Sequence, residues 1–177
     1  MERKLNILKP FFEEPNREFH IRELSRILKI NHTSIRQYLN KLTKEDFLEF
    51  LKGKVYSSYK AKINKKFLNL KLYDNLEKLR ISEIVEDLEK KFDYPAIIVF
   101  GSYASAYDDK NSDVDICLIT NIKKEFNTEK YERILNRKVS PHFFSDKEWE
   151  RNKIKNRQLV NNICNGIVLS GQLEVIK

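Results

Sequence analysis

Two aspartates that alternate along a predicted strand are the residues of this 177-residue chain best suited to chemistry. Because strand side chains alternate between faces, Asp113 and Asp115 should point to one side of the sheet, and Val114 and Ile116 to the other. Neighbouring carboxylates repel unless a cation lies between them, and Mg²⁺ is often held by one or two carboxylates together with substrate phosphates. The pair therefore predicts a magnesium site for a phosphorylated substrate. The plainer alternative is a pair of solvated acids in a strand–turn–strand.

A glycine and a serine stand a short distance before these aspartates. Gly101 and Ser102 end the apolar run Ala96–Phe100, which is typical of a strand covered on both faces. Glycine lets the backbone turn sharply close to a ligand, and the N–H groups that open a following helix can hold phosphate oxygens together with the Ser102 hydroxyl. The turn is therefore a predicted phosphate-binding site.

The two features together resemble a known family. Gly101-Ser102, ten further residues and Asp113-Val114-Asp115 are similar to the GSx10DxD signature of the minimal nucleotidyltransferases of the DNA polymerase beta type. The resemblance implies metal-dependent nucleotidyl transfer from a nucleoside triphosphate, with ATP as the first candidate and two-metal chemistry. It assigns Asp113 and Asp115 as catalytic Mg²⁺ ligands and Gly101 and Ser102 as triphosphate-binding residues. It also allows an antitoxin-like role beside a small toxin that the protein modifies.

The chain departs from the family pattern in two places. Tyr103-Ala104-Ser105-Ala106 stands where the family commonly has x-A-R-G. Active members also carry a third carboxylate on a later strand, and the strand predicted at residues 138–145 has no acid on the face formed by Ser140, His142 and Phe144. A lone histidine on a strand is more often structural than a metal ligand or a proton carrier. Asp146 and Glu148 could reach the site only if that strand ended early.

The positive charge of the chain is confined to its first part. The net charge is +8, and residues 1–70 contain 16 Lys and Arg against 8 Asp and Glu, whereas residues 71–177 contain 18 against 18. This asymmetry predicts a basic module that meets a polyanion, with nucleic acid as the first candidate.

The elements of the basic part resemble a winged helix-turn-helix regulator over residues 3–61. Three helices are predicted, at residues 2–12, 22–28 and 32–44, with Asn31 as the N-cap of the third. Strands at residues 47–51 and 55–59 flank the basic tip Lys52-Gly53-Lys54. The side chains expected to face the core are Leu24, Ile27, Leu28, Ile35, Tyr38, Leu39 and Leu42.

If this module binds duplex DNA, the third helix presents polar side chains away from the core, and the wing adds two lysines. The candidates are Thr33, Ser34, Arg36, Gln37, Asn40 and Lys41 on the helix and Lys52 and Lys54 on the wing. Arg and Gln form paired hydrogen bonds with base edges, whereas wing lysines suit phosphates. The alternative is a module for dimerisation or partner contact.

The chain as a whole is predicted to be α+β. A winged helix-turn-helix domain at residues 1–62 is followed by connecting helices at 63–92, with Ser82 as a cap, and by a nucleotidyltransferase domain at 93–177 with a small mixed sheet flanked by helices. A last helix at residues 151–165 precedes a short strand at 167–170. The alternative function is a DNA-binding regulator whose degenerate second domain only senses nucleotide.

Several classes of protein are disfavoured. The sequence has no apolar run near 18 residues and no charged-then-apolar leader, so we expect a cytoplasmic protein without a membrane partner. Cys117 and Cys164 have neither a metal-site spacing nor a disulfide framework. The acceptor, the choice of nucleotide, the DNA sequence and the oligomeric state, including a homodimer, stay open.

Overall fold

Three helices and a β-hairpin form the first of two units, residues 1–74, in the computed structural model, which describes residues 2–175. The elements are α1 (Glu2–Glu13), α2 (Ile21–Leu28), α3 (His32–Lys44), β1 (Leu48–Leu51) and β2 (Ser58–Ala61). The elements occur in the predicted order, whereas the assignment to a winged helix-turn-helix domain stays a prediction.

The apolar faces of the helices pack together to form the core of the first unit. Leu24, Ile35 and Leu39 are fully buried, and the rings of Phe11 and Phe19 meet edge-to-face at 5.0 Å. The prediction for Ile27 is wrong, because its side chain is 50% exposed. With only two turns, α2 buries a narrow stripe along Leu24 and Leu28, and Ile27 lies outside it.

The hairpin begins later than its sequence suggests. The strands β1 and β2 are antiparallel, from Leu48 paired with Ala61 to Leu51 paired with Ser58. The second strand therefore begins three residues later and ends two residues later than the predicted strand at 55–59. Val55 and Tyr56 favour strands intrinsically but are exposed at the tip. The chain turns tightly there, since a Cβ on Gly53 would lie 2.0 Å from the Tyr56 carbonyl oxygen.

A four-stranded mixed sheet forms the centre of the second unit, residues 75–177. Its elements are α4 (Lys65–Ser82), which begins in the first unit, α5 (Ile84–Phe92), β3 (Ala96–Phe100), α6 (Gly101–Ser105), β4 (Val114–Ile119), α7 (Glu129–Leu135), β5 (Val139–Phe144), α8 (Asp146–Lys155), α9 (Arg157–Cys164) and β6 (Ile167–Ser170). The strand order is β5-β4-β3-β6, with β4 and β5 parallel and the other pairs antiparallel. The predicted α+β class is therefore confirmed.

The two faces of this sheet bury different side chains. On one face, residues such as Val99, Val114 and Ile116 pack with α5, α6 and α7. On the other face, Ile98, Phe100 and Cys117 pack with Trp149 of α8 and with α9. Burial in this second layer raises the pKa of the Cys117 thiol to about 12, so the thiol stays protonated at neutral pH.

The helices are interrupted at two places that the helical spacing of apolar residues did not predict in detail, between α4 and α5 and between α8 and α9. Ser82, the predicted cap, is the last residue of α4, and the N-cap of α5 is Glu83, although the Ser82 hydroxyl accepts from the Ile84 N–H at 3.3 Å. Ile81, which was predicted to face the core, is 59% exposed. The predicted single helix at 151–165 is two helices, because Asn156 ends α8 and its side chain accepts from the Leu159 N–H at 3.4 Å to open α9.

Among the described residues, no helix has the length and apolarity that crossing a bilayer requires.

Candidate functional site

A sharp turn joins β3 to the short helix α6. Gly101 has a φ of +74°, a left-handed conformation that glycine adopts without steric cost. A Cβ built on Gly101 would lie 2.8 Å from Asp115 Oδ2, so the missing side chain leaves room for that carboxylate. The register of the sheet causes this approach, since Phe100 on β3 pairs with Asp115 on β4.

The two motif aspartates lie on one side of the sheet. Asp113 immediately precedes β4, Asp115 is within it, and both are half-buried. Val114 and Ile116, which alternate with them, are completely buried on the opposite side. Both carboxylates therefore open on the side where Gly101 turns, as the alternation along the strand predicts.

Besides the Gly101 turn and the aspartates of β4, the site includes side chains of the parallel strand β5 and of Lys138 just before it. Its register pairs Asp115 with Ser140. Asp113 Oδ2 accepts a hydrogen bond from Ser140 Oγ at 3.1 Å and lies 3.7 Å from Lys138 Nζ. Asp115 Oδ1 lies 3.5 Å from His142 Nε2. The strand thus offers a hydroxyl, an ammonium group and an imidazole to the aspartates, and no carboxylate.

Asp146 and Glu148 do not supply the third carboxylate. The strand β5 continues to Phe144, which pairs with Ile119 at the far end of β4. At about 3.3 Å per residue, that end lies roughly 15–20 Å from Asp113. There Asp146 accepts from Asn121 Nδ2 at 2.8 Å, and Glu148 forms a capping box with Ser145 that opens α8 and lowers the pKa of Glu148.

A buried polar cluster supports the loop that leads into β4, the strand of the motif aspartates. Asp108 is 1% exposed, and its Oδ1 accepts from Asn75 Nδ2 at 2.9 Å. Asp108 Oδ2 lies 3.8 Å from Arg137 Nη2, while Arg137 Nη1 donates to the Lys110 carbonyl at 2.8 Å. Asn75 Nδ2 also donates to the Tyr103 carbonyl at 3.0 Å. We call Asn75, Tyr103, Asp108, Lys110 and Arg137 the Asp108 network; sequence reasoning missed it, because no local pattern marks residues so far apart in the chain.

An open cleft of about 500 Å³ lies beside Asp113. Lys110, Arg133 and Lys138 contribute positive charge to its walls, and Glu129 and Glu132 contribute negative charge. Arg133 Nη2 is 3.6 Å from Glu129 Oε2, so part of the positive charge is balanced within the cleft. Of the two motif aspartates, Asp113 lines this cleft, whereas Asp115 and the Gly101 turn do not.

Comparison with known proteins decides the family. The family model for polymerase beta nucleotidyltransferases matches residues 82–170, half of the chain, and that stretch contains the whole sheet with both motif elements. The chain belongs to the polymerase beta nucleotidyltransferase family. A search of curated proteins finds no match.

Two solved structures show weaker likenesses to this nucleotidyltransferase chain. HmgR of Pseudomonas aeruginosa is 16% identical, with a TM-score of 0.36 over 57% of this chain and 41% of its own. A protein of Rhodococcus sp. RHA1, described as a transcriptional regulator, is 12% identical, with a TM-score of 0.34 over 71% of this chain and 47% of its own. The nucleotidyltransferase chain therefore spans less than half the length of either structure.

The donor set of the candidate site would suit an ion whose remaining ligands came from a substrate. Asp113 and Asp115 offer two half-buried carboxylates beside the room left at Gly101. Over residues 2–175, no three His, Cys, Asp or Glu side chains converge on one position suited to a metal. Mg²⁺ is commonly bound by one or two carboxylates, with its other ligands drawn from phosphates and water. The residues present therefore suit a substrate-bridged ion better than a closed protein cage.

Most of the DNA-binding candidates of the first unit are exposed. Thr33, Arg36, Gln37 and Lys41 are exposed on α3, whereas Ser34 is half-buried. Lys52 and Lys54 are exposed on the wing. Asn40 is exposed but has a structural contact, because its Oδ1 accepts from the Tyr59 hydroxyl at 2.9 Å. Burial raises the pKa of Tyr59, so this hydroxyl remains a donor at neutral pH.

Replacement of Gly101 with alanine should damage the nucleotidyltransferase site more than the fold. The added Cβ would meet Asp115 Oδ2 at 2.8 Å, and the left-handed backbone would cost about 1–2 kcal/mol. We expect a small loss of stability in urea unfolding and a large loss of nucleotide affinity in calorimetry. Gly171→Ala serves as the matched control, because Gly171 also has a left-handed φ, of +67°, and follows β6 where Ser170 pairs with Ile97, away from the Gly101 turn. Unchanged nucleotide affinity in Gly101→Ala would show that the turn lies away from the nucleotide.

Proposed function

We propose that this protein is a metal-dependent nucleotidyltransferase with a DNA-binding winged-helix unit. It transfers a nucleotidyl group from a nucleoside triphosphate, with ATP the first candidate, to an acceptor. The observation that carries the proposal is the approach of Asp115 Oδ2 to the Gly101 turn, at 2.8 Å from the position of the absent Cβ. This approach brings the phosphate-binding turn and the aspartate pair into a single site, as a triphosphate bound through a metal ion requires.

In this proposal the Gly101 turn would bind the phosphates, and the aspartate pair would bind the ion. The Ser102 hydroxyl and the backbone of the Gly101 turn would hold the outer phosphates; α6 has only five residues, so we assign no effect to its helix dipole. Asp113 and Asp115 would hold Mg²⁺, which when bound neutralises charge on the phosphates and favours attack by the acceptor oxygen. The new bond joins that oxygen to the α-phosphorus as the bond to pyrophosphate breaks.

A second candidate function is nucleotide sensing without transfer. The β5 residue that pairs with Asp115 is Ser140 rather than an acid, and Asp113 already contacts Lys138 and Ser140. Two carboxylates are enough to hold one Mg²⁺ with a triphosphate, whereas activation of an acceptor asks for more. In this case the nucleotide would control the winged-helix unit.

Calorimetry and a transfer assay separate the two functions. We expect ATP or another triphosphate to bind the whole chain in the presence of Mg²⁺ and much more weakly in EDTA. Labelled triphosphate is then incubated with candidate RNAs and small proteins, a toxin-like partner among them. Transfer to any acceptor establishes the enzyme, whereas tight binding without transfer favours the sensor. If no triphosphate binds with any metal ion, both the transferase and the sensor are ruled out.

The proposal that the first unit binds duplex DNA rests on charge and exposure. Residues 1–70 carry 16 basic against 8 acidic side chains. Arg36, Gln37 and Lys41 are exposed on α3, and Lys52 and Lys54 on the wing. A helix with exposed Arg and Gln suits major-groove base edges, and the lysines suit phosphates.

Substitutions should separate base recognition from phosphate binding. Arg36→Ala or Gln37→Ala should reduce preference for the best sequence by about 1–3 kcal/mol, because a paired contact to a base is lost. Lys54→Ala should weaken all sequences alike and make the affinity less dependent on salt. Fluorescence anisotropy of the whole chain measures both effects, with Lys155→Ala, far along the chain in α8, as the control. No binding at low salt would assign the first unit to protein contacts or dimerisation instead.

A further inference from the structure

We propose that His142 is a metal ligand of the site, so that the bound ion is held by mixed nitrogen and oxygen donors and a transition ion such as Mn²⁺ is preferred to Mg²⁺. The inference deepens the proposed function and rests on its metal site. It assigns a chemical role to a residue of β5 that lies outside the GSx10DxD signature. Asp115 and His142 would be the first two protein ligands, and Asp113 would join them.

The register of the sheet puts His142 on the face that carries the aspartates. In the parallel pairing of β4 with β5, Asp115 lies opposite Ser140, and Cys117 lies opposite His142. The imidazole extends back toward Asp115, and its Nε2 reaches to 3.5 Å from Asp115 Oδ1. The ring meets the Phe100 ring edge-to-face at 5.3 Å, which holds its plane in this direction.

The nitrogen that faces Asp115 is buried and lacks a hydrogen bond. The His142 side chain is 38% exposed as a whole, yet its Nε2 atom is shielded from solvent and has no hydrogen-bond partner among the described residues. Buried polar atoms are normally satisfied, and an exception calls for a physical reason. A cation bound between Nε2 and Asp115 would supply that reason.

The separation of the two atoms suits one shared ion. Donors that each lie about 2.1 Å from an ion are about 3.0 Å apart at a right angle and about 3.4 Å apart at the tetrahedral angle. The observed 3.5 Å between Nε2 and Oδ1 is about 0.5 Å longer than the right-angle value that applies to an octahedral ion, so the two side chains would close slightly around it. The observed distance is long for a direct hydrogen bond, for which about 2.7–3.2 Å is usual.

As placed, Asp113 does not converge with Asp115 and His142 on one metal position, and it would join them only after its carboxylate turns away from Lys138 and Ser140. Its Oδ2 contacts Ser140 Oγ and lies 3.7 Å from Lys138 Nζ. The Lys138 side chain is 71% exposed, so it can turn toward solvent or toward a phosphate without loss of packing. The carboxylate would then be available to the ion.

The nature of the donors sets the choice of ion. Mg²⁺ favours oxygen donors in an octahedron, whereas imidazole binds first-row transition ions more strongly. A site that contains His142 should therefore discriminate in favour of Mn²⁺. A site made of Asp113 and Asp115 alone lacks a nitrogen donor, so its preference for Mn²⁺ over Mg²⁺ should be smaller.

Metal titration of the whole chain without nucleotide tests the inference. Bound Mn²⁺ is followed by the loss of the free-ion signal in electron paramagnetic resonance, and Mg²⁺ is measured by competition. We expect wild type to prefer Mn²⁺, and His142→Ala and His142→Gln to bind Mn²⁺ at least ~10-fold more weakly, with Mg²⁺ affinity little changed. His32→Ala, an exposed histidine of α3, is the matched control, and circular dichroism verifies folding.

The outcomes keep this inference apart from the proposed function. Equal Mn²⁺ binding by wild type and both His142 variants, or no preference for Mn²⁺ in wild type, would overturn the role of His142. If Mg²⁺-dependent nucleotide binding persists in that case, the proposed function stands. Conversely, Mn²⁺ binding through His142 in a chain that binds no triphosphate would support the ion site and remove the nucleotidyltransferase.

Discussion

Asp113→Asn and Asp115→Asn should each abolish metal-dependent triphosphate binding, with affinity for the Mg²⁺ complex reduced at least ~100-fold. Each substitution removes a negative charge that the ion needs and preserves the shape of the side chain. Both side chains are half-buried at the edge of the site, so the fold should tolerate the change. Calorimetry of ATP with Mg²⁺ measures the loss, and nucleotidyl transfer should disappear with it.

Asp146→Asn provides the control for these variants. Asp146 belongs to the helix that follows β5, but it lies at the opposite end of the strand from Asp113 and bonds Asn121 there. Nucleotide affinity should therefore stay at the wild-type level. Retention of Mg²⁺-dependent binding in both motif variants would mean that the aspartates do not hold the ion.

Asp108→Ala should destabilise the second unit by about 3–5 kcal/mol, because a buried carboxylate that faces a buried guanidinium is removed. The Asp108 and Arg137 side chains are 1% and 3% exposed, respectively. The substitution also removes the oxygen that accepts from Asn75. Unfolding in urea, followed by circular dichroism, measures the change, and nucleotide affinity should fall as the loop before Asp113 loses its support.

Asp109→Ala tests the same loop without the buried network. Asp109 is the next residue and is exposed, where its carboxylate accepts from the Asn111 N–H at 2.8 Å. Its loss should cost about 1 kcal/mol or less, as for a surface hydrogen bond. Equal destabilisation by the two substitutions would show that burial of Asp108 contributes nothing particular.

The elements around the motif could be predicted because their signals are local. The run Ala96–Phe100 is a strand with the predicted bounds, since a continuous apolar stretch is buried on both faces of a sheet. Asn31 caps α3 as expected, with Oδ1 accepting from the Ser34 N–H at 2.8 Å. The alternation of Asp113 and Asp115 with buried neighbours follows from the two-residue period alone.

Other features depend on contacts between distant parts of the chain. The start of β2 is set by its pairing with β1, which overrides the strand preference of Val55 and Tyr56. The Asp108 network joins residues of α4, α6 and the segments before β4 and β5, so no window of sequence reveals it. The break at Asn156 is a local capping signal that the helical period of residues 151–165 concealed.

Whether Asp146 could serve as a third carboxylate depends on the register of the sheet, which the sequence does not reveal. From sequence, Asp146 remained a candidate for as long as the end of β5 was unknown. The parallel pairing through Ile119 and Phe144 excludes it and brings Ser140 and His142 to the aspartates instead.

The position of β5 at the margin of the sheet has a consequence for how this site can change over evolutionary time. The strand has a neighbour on one side only, and Pro141 lacks the N–H that would invite another strand to its open side. Substitutions at Ser140 or His142 therefore disturb fewer surroundings than substitutions on the central strands. Evolutionary change can therefore alter the side chains of this edge strand while Asp113 and Asp115 on the more central β4 stay in place.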